Sequence, residues 1–590
     1  MQKKWDILPL PPQSFYDEHP KLPKIVANLL FHRNIRTQKD IDEFLNPDYT
    51  KNIHDPFLFK DIHKTIERIF KAIENNEKIV IHGDYDADGV SASVILVSTL
   101  RALGAKHVDI FLPHREIDGY GLNNNTVEKF IEEKINLVIT CDCGISNIEE
   151  ITKAKEHGID TIVTDHHTVP TVLPPAISII HPKVVDETYP DKGLAGGAVA
   201  FKLVQGLLRK HKENGQKLNN DLTHEAHEKW LLDMVAIATV GDMVPLVGES
   251  RTLTKYGLIV LNRTKRLGLQ KLLLEARLLD EEGGHKHELT TETIGFQIAP
   301  RINAAGRMNH ANTAYNLMMT QDGAEATNLA FELNQNNQER QKLTESLVKD
   351  AIKQIEPGQM DKPVLFVLGQ EWSTGIVGLI AGKLKEKYYK PTIVMAKNGG
   401  EITGSGRSIE GFDIIECLQT MPEYFDRFGG HPMACGFTLK NKEVLELFQN
   451  KLIEIFYSKA TEIDTTPKVS IDAEIDIDHV TWELYNVLQK FEPFGQANEK
   501  PKYLARNLTI HQMKPVGQAG KHLRIMVKSN SNKVHKTIGW DLCKTNGNGT
   551  NWGDELKPGN KVDLVFEISV NEWNGTRELQ LTIVDLRLSS

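Results

Sequence analysis

The chain has 590 residues, of which 40% are hydrophobic and 25% charged, and its formal net charge is −9. This length exceeds what one hydrophobic core serves, so roughly three or four domains of an ordinary globular protein are expected. No apolar run approaches the roughly 18–20 residues that cross a bilayer, and a tryptophan, an aspartate and prolines break up the opening MQKKWDILPLPP, which excludes a secretory signal and leaves a cytoplasmic protein without a membrane as the expectation.

Residues 1–50 are rich in proline and aromatics. A short helical pattern covers Lys24–Leu30, and a second helix follows Thr37, where an acid stands three residues on, at Asp40, as in a capping box. The helical run Lys64–Asn76 leads into a short apolar strand, Lys78–Ile81, that ends at the polar His82. Helices are then expected over Val90–Leu103, Asn123–Lys134 and Ser146–His157, and strands over His107–Leu112, Ile135–Thr140 and Thr161–Thr164. Strands alternating with helices argue for a parallel, doubly wound α/β sheet, whose ligands gather outside the carboxyl ends of the strands. A further helix covers Trp230–Thr239, and Asp322–Ile355 reads as one long helix joining two lobes. A second strand–helix set begins at Val364–Leu368. From about residue 468, β-branched residues and turn signals suit a small β-barrel, with KTNGNGTNWG at 544–553 as a loop. Within it Pro501–Thr550 is basic: Lys502, Arg506, Lys514, Lys521, Arg524, Lys528, Lys533, Lys536 and Lys544 stand against one acid, Asp541. A solvated face and a nucleic-acid surface both fit that composition.

Chemistry-bearing residues fall at the ends of the expected strands. His82-Gly-Asp84-Tyr-Asp86-Ala-Asp88-Gly89 follows the first, Cys141-Asp142-Cys143-Gly144 another and Asp165-His166-His167 a third, while Gly241-Asp242 ends an apolar helix. Three aspartates within five residues repel one another and resist burial unless neutralised, and divalent cations are the natural remedy. Carboxylates with one or two imidazoles suit Mn²⁺ or Mg²⁺ better than zinc. A calcium loop opening at Asp84 would need a bidentate glutamate at its twelfth position, which is Ile95. The five cysteines are too few for a disulfide framework, and Cys141 and Cys143 read as small residues in a tight turn, with no second pair to complete a zinc site. Singly, a Gly-Asp is usually a turn and a His-His usually a surface or core pair; together, at these strand ends, they form one constellation.

Asp-Tyr-Asp-Ala-Asp-Gly at 84–89, the aspartate of Cys-Asp-Cys-Gly, Asp-His-His at 165–167 and Gly-Asp-Met-Val-Pro at 241–245 resemble the four motifs of the DHH phosphoesterase family, and the whole chain resembles its RecJ branch. The resemblance implies two divalent cations, one held by Asp86, Asp142 and His82, the other by Asp88, Asp142, His166 and Asp242. Asp142 would bridge them, Asp84 would stand near enough to contribute, and His167 would lie at the scissile phosphate. Arg301, Asn303 and Arg307, in the segment 300–308, resemble a nucleic-acid-facing stretch of the same branch. Gly404–Ser408 and Gly429–His431 resemble the two substrate motifs of the associated DHHA1 domain. Arg407 and His431 are thereby implied as catalytic beside Asp142 and His167, with Ser408 and Gly430 as strand contacts. One departure is Ser373, where family members often carry a histidine after the tryptophan.

The basic stretch, with Lys521 and Arg524, falls where the branch carries an oligonucleotide-binding barrel. The implied organisation is an N-terminal extension (1–56), a DHH domain (57–320), a connecting helix (321–357), a DHHA1 domain (358–465) and an OB-like domain (466–590). The implied activity is 5′→3′ hydrolysis of single-stranded DNA to mononucleotides by a monomer, in DNA repair and recombination. A helicase and a single-strand-binding protein are the implied partners. Two alternatives stay open: a phosphodiesterase of short oligonucleotides or other small phosphate substrates, and a non-catalytic scaffold.

Overall fold

The computed structural model describes residues 3–280, 282–356, 358–459, 463–544, 550–573 and 576–589. The chain divides into two compact units, one of Asn46–Lys342 with Pro493–Asn498, the other of Met1–Leu45, Leu343–Glu492 and Glu499–Ser590.

The first unit is built on a five-stranded sheet in the spatial order Val108–Phe111, Ile79–His82, Leu137–Cys141, Asp160–Thr164, Ser178–Ile180, with every pair parallel. Ile79, Ile81, Leu137, Ile139 and Ile162 face one layer of helices, among Val94, Phe201 and Val235. Val80, Val138 and Val163 face the other, against Val127, Phe130 and Ile151. Strands covered on both faces read as continuous apolar runs, which is why Lys78–Ile81 stands out in the sequence. The crossover helix expected from Val90 begins at Ala87, because the Asp86 carboxylate caps it, accepting from Asp88 N at 2.9 Å and Gly89 N at 3.1 Å. Asn123 caps Asn124–Glu132 in the same way, through Thr126 N at 2.8 Å. The expected helix Trp230–Thr239 is two, His224–Trp230 and Leu232–Gly241, separated at Leu231. An almost wholly buried helix, Gly196–Glu213, packs beside Leu232–Gly241 and against Ala87–Ala102.

The helix Gly323–Ile355 runs from the first unit into the second; Asp322 caps it, accepting from Ala324 N and Glu325 N at 2.8 Å each. The second unit holds a mixed sheet in the order Phe425–His431, Ala434–Leu439, Glu401–Arg407, Thr392–Asn398, Leu365–Gln370, parallel only in the last pair. It also holds a closed barrel of Tyr503–Val516, His522–Lys528, Val534–Gly539, Thr576–Leu588 and Lys561–Trp573, completed where the last of these pairs with the first. The N-terminal strand Lys4–Ile7, not foreseen from the sequence, pairs in parallel with Lys468–Ile471, and Trp5 Nε1 donates to Asp585 Oδ2 at 2.6 Å. Of the expected loop at 544–553, residues 545–549 lie outside the described residues, and its end belongs to the short helix Trp552–Glu555. No helix among the described residues is long and apolar enough to cross a membrane.

Candidate metal centre

The spatial order of the parallel sheet reverses between Ile79–His82, which neighbours both Val108–Phe111 and Leu137–Cys141, and the strands beyond. Ligands of doubly wound sheets bind at such a switch point, outside the carboxyl ends of the strands. Asp84, Asp86 and Asp88 leave one of these two central strands and Asp142 leaves the other. Asp142 has φ 61°, an uncommon conformation for a residue with a side chain; its N–H donates to Thr164 O at 3.0 Å, and Tyr120 Oη donates to its carbonyl at 3.0 Å. Turned in this way, its carboxylate comes within 4.8 Å of ligand atoms from two other segments, those of Asp84 and Asp86 and those of His166 and His167. His166 Nε2 lies 3.1 Å from Asp142 Oδ1, 3.6 Å from Asp242 Oδ2 and 3.8 Å from Asp88 Oδ2. Three groups have ligand atoms within 4.8 Å of one another: Asp84, Asp86 and Asp142; Asp88, His166 and Asp242; Asp142, His166 and His167.

The electrostatics of this cluster fit a cation. Burial, then the Asp86 charge, pushes the Asp84 carboxyl up to about 8 and that of Asp242 to about 7. Burial and neighbouring carboxylates hold Asp88 and Asp142 well above the ordinary range. Burial, then His167, drives His166 down to about 3, leaving a neutral imidazole. Asp142 Oδ1, Asp84 Oδ1 and both ring nitrogens of His166 are buried without a hydrogen-bond partner. Buried polar atoms are normally paired, so this set of hard oxygen and imidazole donors suits divalent cations.

Asp165, the first residue of Asp-His-His, holds its neighbours instead. It accepts from His166 N at 2.6 Å, from Ile145 N at 3.0 Å and from His167 Nδ1 at 2.8 Å. Burial opposes a charge on His167, but the bond to Asp165 outweighs it and raises the imidazole to about 9.

In the second unit, His431 pairs with Ala434 and Ala434 with Arg407, so Arg407 and His431 share one row across three strands. Arg407 Nη1 donates to Ser405 Oγ and to Gly406 O, both at 2.8 Å, and its guanidinium packs where a side chain at Gly378 would stand. Gly430 has φ 147°, and a Cβ there would lie 2.3 Å from Ala434 O. Ser373 occupies the N-cap position of the helix Thr374–Tyr388. On the barrel, Lys521 and Arg524 are both exposed.

Over 569 residues the chain is 37% identical to the single-stranded-DNA-specific exonuclease RecJ of Bacillus subtilis, covering 96% of this chain and 68% of that one. The RecJ of Salmonella typhimurium is 31% identical over 575 residues, with 96% of each chain covered. The chain belongs to the RecJ family. Family models describe residues 78–239 as the DHH family N-terminal domain, 361–458 as a DHHA1 domain and 471–585 as a RecJ OB domain. The crystal structure of Thermus thermophilus RecJ with Mn²⁺ superposes with a TM-score of 0.80 at 27% identity, over 100% of this chain and 80% of that one. The same RecJ with Mg²⁺ gives 0.75 at 25% identity, over 100% and 79%.

Several residues assigned from the RecJ resemblance have other positions. His82 is in none of the three ligand groups. Its ring stacks on Phe111 and its Nδ1 lies 3.6 Å from Cys143 Sγ, because it continues the strand face of Val80. Asp84 stands among the ligand atoms where His82 was expected. Asn303 accepts from Ala87 N at 2.6 Å, so its carbonyl oxygen buttresses the start of the motif helix instead of facing a strand. Arg301 spends Nε on Asn334 Oδ1 and Nη1 on Gln297 O. Ser408 is fully buried, its hydroxyl donating to Phe412 O at 2.5 Å. Arg307 feels the charge of Asp86; burial, then Arg115 and Arg340, lowers it to about 9.

Other residues of this RecJ-family site went unnoticed in the sequence. Gly196 N and Gly197 N donate to the two oxygens of Asp88 at 2.7 and 2.6 Å, at the N-terminus of Gly196–Glu213, whose dipole favours that charge. Lys183 Nζ donates to His166 O at 2.5 Å, His181 Nε2 lies 3.0 Å from His167 O, and Tyr120 Oη lies 3.0 Å from His167 Nδ1. The paired glycines were the one available signal, since small residues at a helix start allow a backbone to approach closely.

Proposed function

We propose that the protein is a single-stranded-DNA-specific exonuclease that hydrolyses phosphodiester bonds from the 5′ end and releases 5′-mononucleotides. The observation that carries this reading is the convergence on one imidazole, His166, of carboxylates from three separate segments, in a chain of the RecJ family. Asp84, Asp86 and Asp142 would hold one divalent cation, Mn²⁺ or Mg²⁺, and Asp88, Asp142, His166 and Asp242 a second, with Asp142 common to both. Such ions supply a charge for the phosphate and activate water at neutral pH.

The chain's own groups do the rest. Asp165 keeps His167 protonated, so that its imidazolium can donate to a phosphate oxygen. Arg307, still cationic at neutral pH, adds attraction for the strand. Arg407 and His431 are assigned to phosphates of the strand, and Lys521 and Arg524 to its backbone along the barrel. The protein would act as a cytoplasmic monomer in DNA repair and recombination, on strands opened by a helicase or coated by a single-strand-binding protein.

The test is a long single strand carrying a label at either end, incubated with Mn²⁺. The 5′ label should appear first as mononucleotide while the 3′ label stays on shortening strands, and Asp142→Ala should abolish both. Release of the 3′ label first, or no shortening at all, overturns the proposal.

A further inference from the structure

Met243 directly follows Asp242, which caps the carboxyl end of the helix Leu232–Gly241. Its backbone has φ 58°, and its N–H reaches Val240 O at 3.3 Å. Where a helix ends in the left-handed conformation, glycine usually stands at this position, because a Cβ is strained there. Methionine here keeps that strain without gaining burial, for the residue is 71% exposed. Glycine would therefore serve the fold better. A bulky apolar side chain held in solvent by a strained backbone is a feature that packing does not explain, and such strain concentrates at functional sites.

The neighbourhood suggests its use. Asp242 Oδ2 is 3.6 Å from His166 Nε2, so the residue after it borders the cluster. Tyr120, whose hydroxyl lies 3.0 Å from His167 Nδ1, is a second large side chain at this margin, the residue being 47% exposed. A centre that took only inorganic phosphates would gain nothing from apolar margins. In a nucleic acid, by contrast, every phosphodiester stands between two nucleosides, and a polarisable thioether packs well against an aromatic ring.

Resting on the nuclease reading above, we propose that Met243 is a specificity residue, its side chain packing against the nucleobase beside the scissile phosphate. The experiment compares kcat/KM on three oligothymidylates. One is intact, and two carry an abasic residue on one or the other side of the 5′-terminal linkage. The wild type should prefer the intact strand over one of the abasic strands by about tenfold, the order of a stacking contact. In Met243→Gly that ratio should fall toward one while the melting temperature is equal or higher, and Met243→Leu should keep the ratio. A wild-type ratio of one on both abasic strands, a ratio unchanged in Met243→Gly, or a melting temperature lowered by glycine would each overturn the inference. Cleavage of none of the three strands by the wild type would instead overturn the nuclease reading, and this inference with it.

Discussion

Replacing Gly196 with alanine tests whether the helix Gly196–Glu213 sets the geometry of the metal centre. A Cβ at this position would stand 2.6 Å from both Asp142 Cβ and Oδ1 and 2.8 Å from Cγ, whereas ordinary contact begins at 3.4 Å. In a close-packed interior, either the helix start or the Asp142 side chain must then retreat by about 0.8 Å. Neither retreats freely. Gly196 N is tied to Asp88 Oδ2 at 2.7 Å, and Asp142 N to Thr164 O at 3.0 Å. Overpacking of this kind costs about 1–3 kcal/mol, a shift of a few degrees in Tm for a domain of this size. Because the displaced group belongs to two of the three clusters that could hold a cation, the larger effect should be functional. Mn²⁺ affinity should fall about tenfold or more by calorimetry, and kcat on a 5′-labelled strand about a hundredfold. A Gly196→Ala protein that binds Mn²⁺ and cleaves like the wild type would show that the close approach has no bearing on the centre.

The metal-free protein should lose stability as pH rises from about 6.5 to 9, since Asp84 (about 8), Asp242 (about 7) and His167 (about 9) all have folded values raised above their unfolded ones. A raised value stabilises fully below the unfolded pKa and ceases to do so once pH passes the folded one; His166, lowered to about 3, acts only at more acidic pH. Thermal melts in chelator should therefore decline across that window, and saturating Mn²⁺ should flatten the decline; a chelated melting temperature that rises with pH would contradict the assignment. Reversing the exposed charges of the barrel, as Lys521→Glu with Arg524→Glu, should weaken binding of single strands and lower the slope of log K against log salt by about 0.7 for each phosphate no longer neutralised. Fluorescence anisotropy across salt concentrations measures this, and an unchanged slope would remove both residues from the strand path.

Much of the centre is legible in the amino-acid sequence, because strand ends, caps and turns are local. Continuous apolar runs ending in carboxylates place Asp86, Asp88, Asp142, His166 and Asp242 outside one sheet, and all five meet there. His82 shows where the local reading is incomplete, although a signal exists. Alternation along Ile79–His82 puts it on the Val80 face, against Phe111 and Phe130, outside the three ligand groups.

Other features have no local signal. The order of the five strands decides that Asp142 emerges beside Asp84 and Asp86. Which helix start passes within 2.6 Å of Asp142 decides that Gly196 must be glycine. Whether Asn303 and Ser408 face a ligand or a backbone partner depends on elements distant in the chain or on burial. Backbone hydrogen bonds and caps act within a few residues and leave their mark on the sequence. Neighbours, desolvation and close approach arise only when distant segments pack, and those determine which carboxylates keep a proton and which atoms are left for a cation.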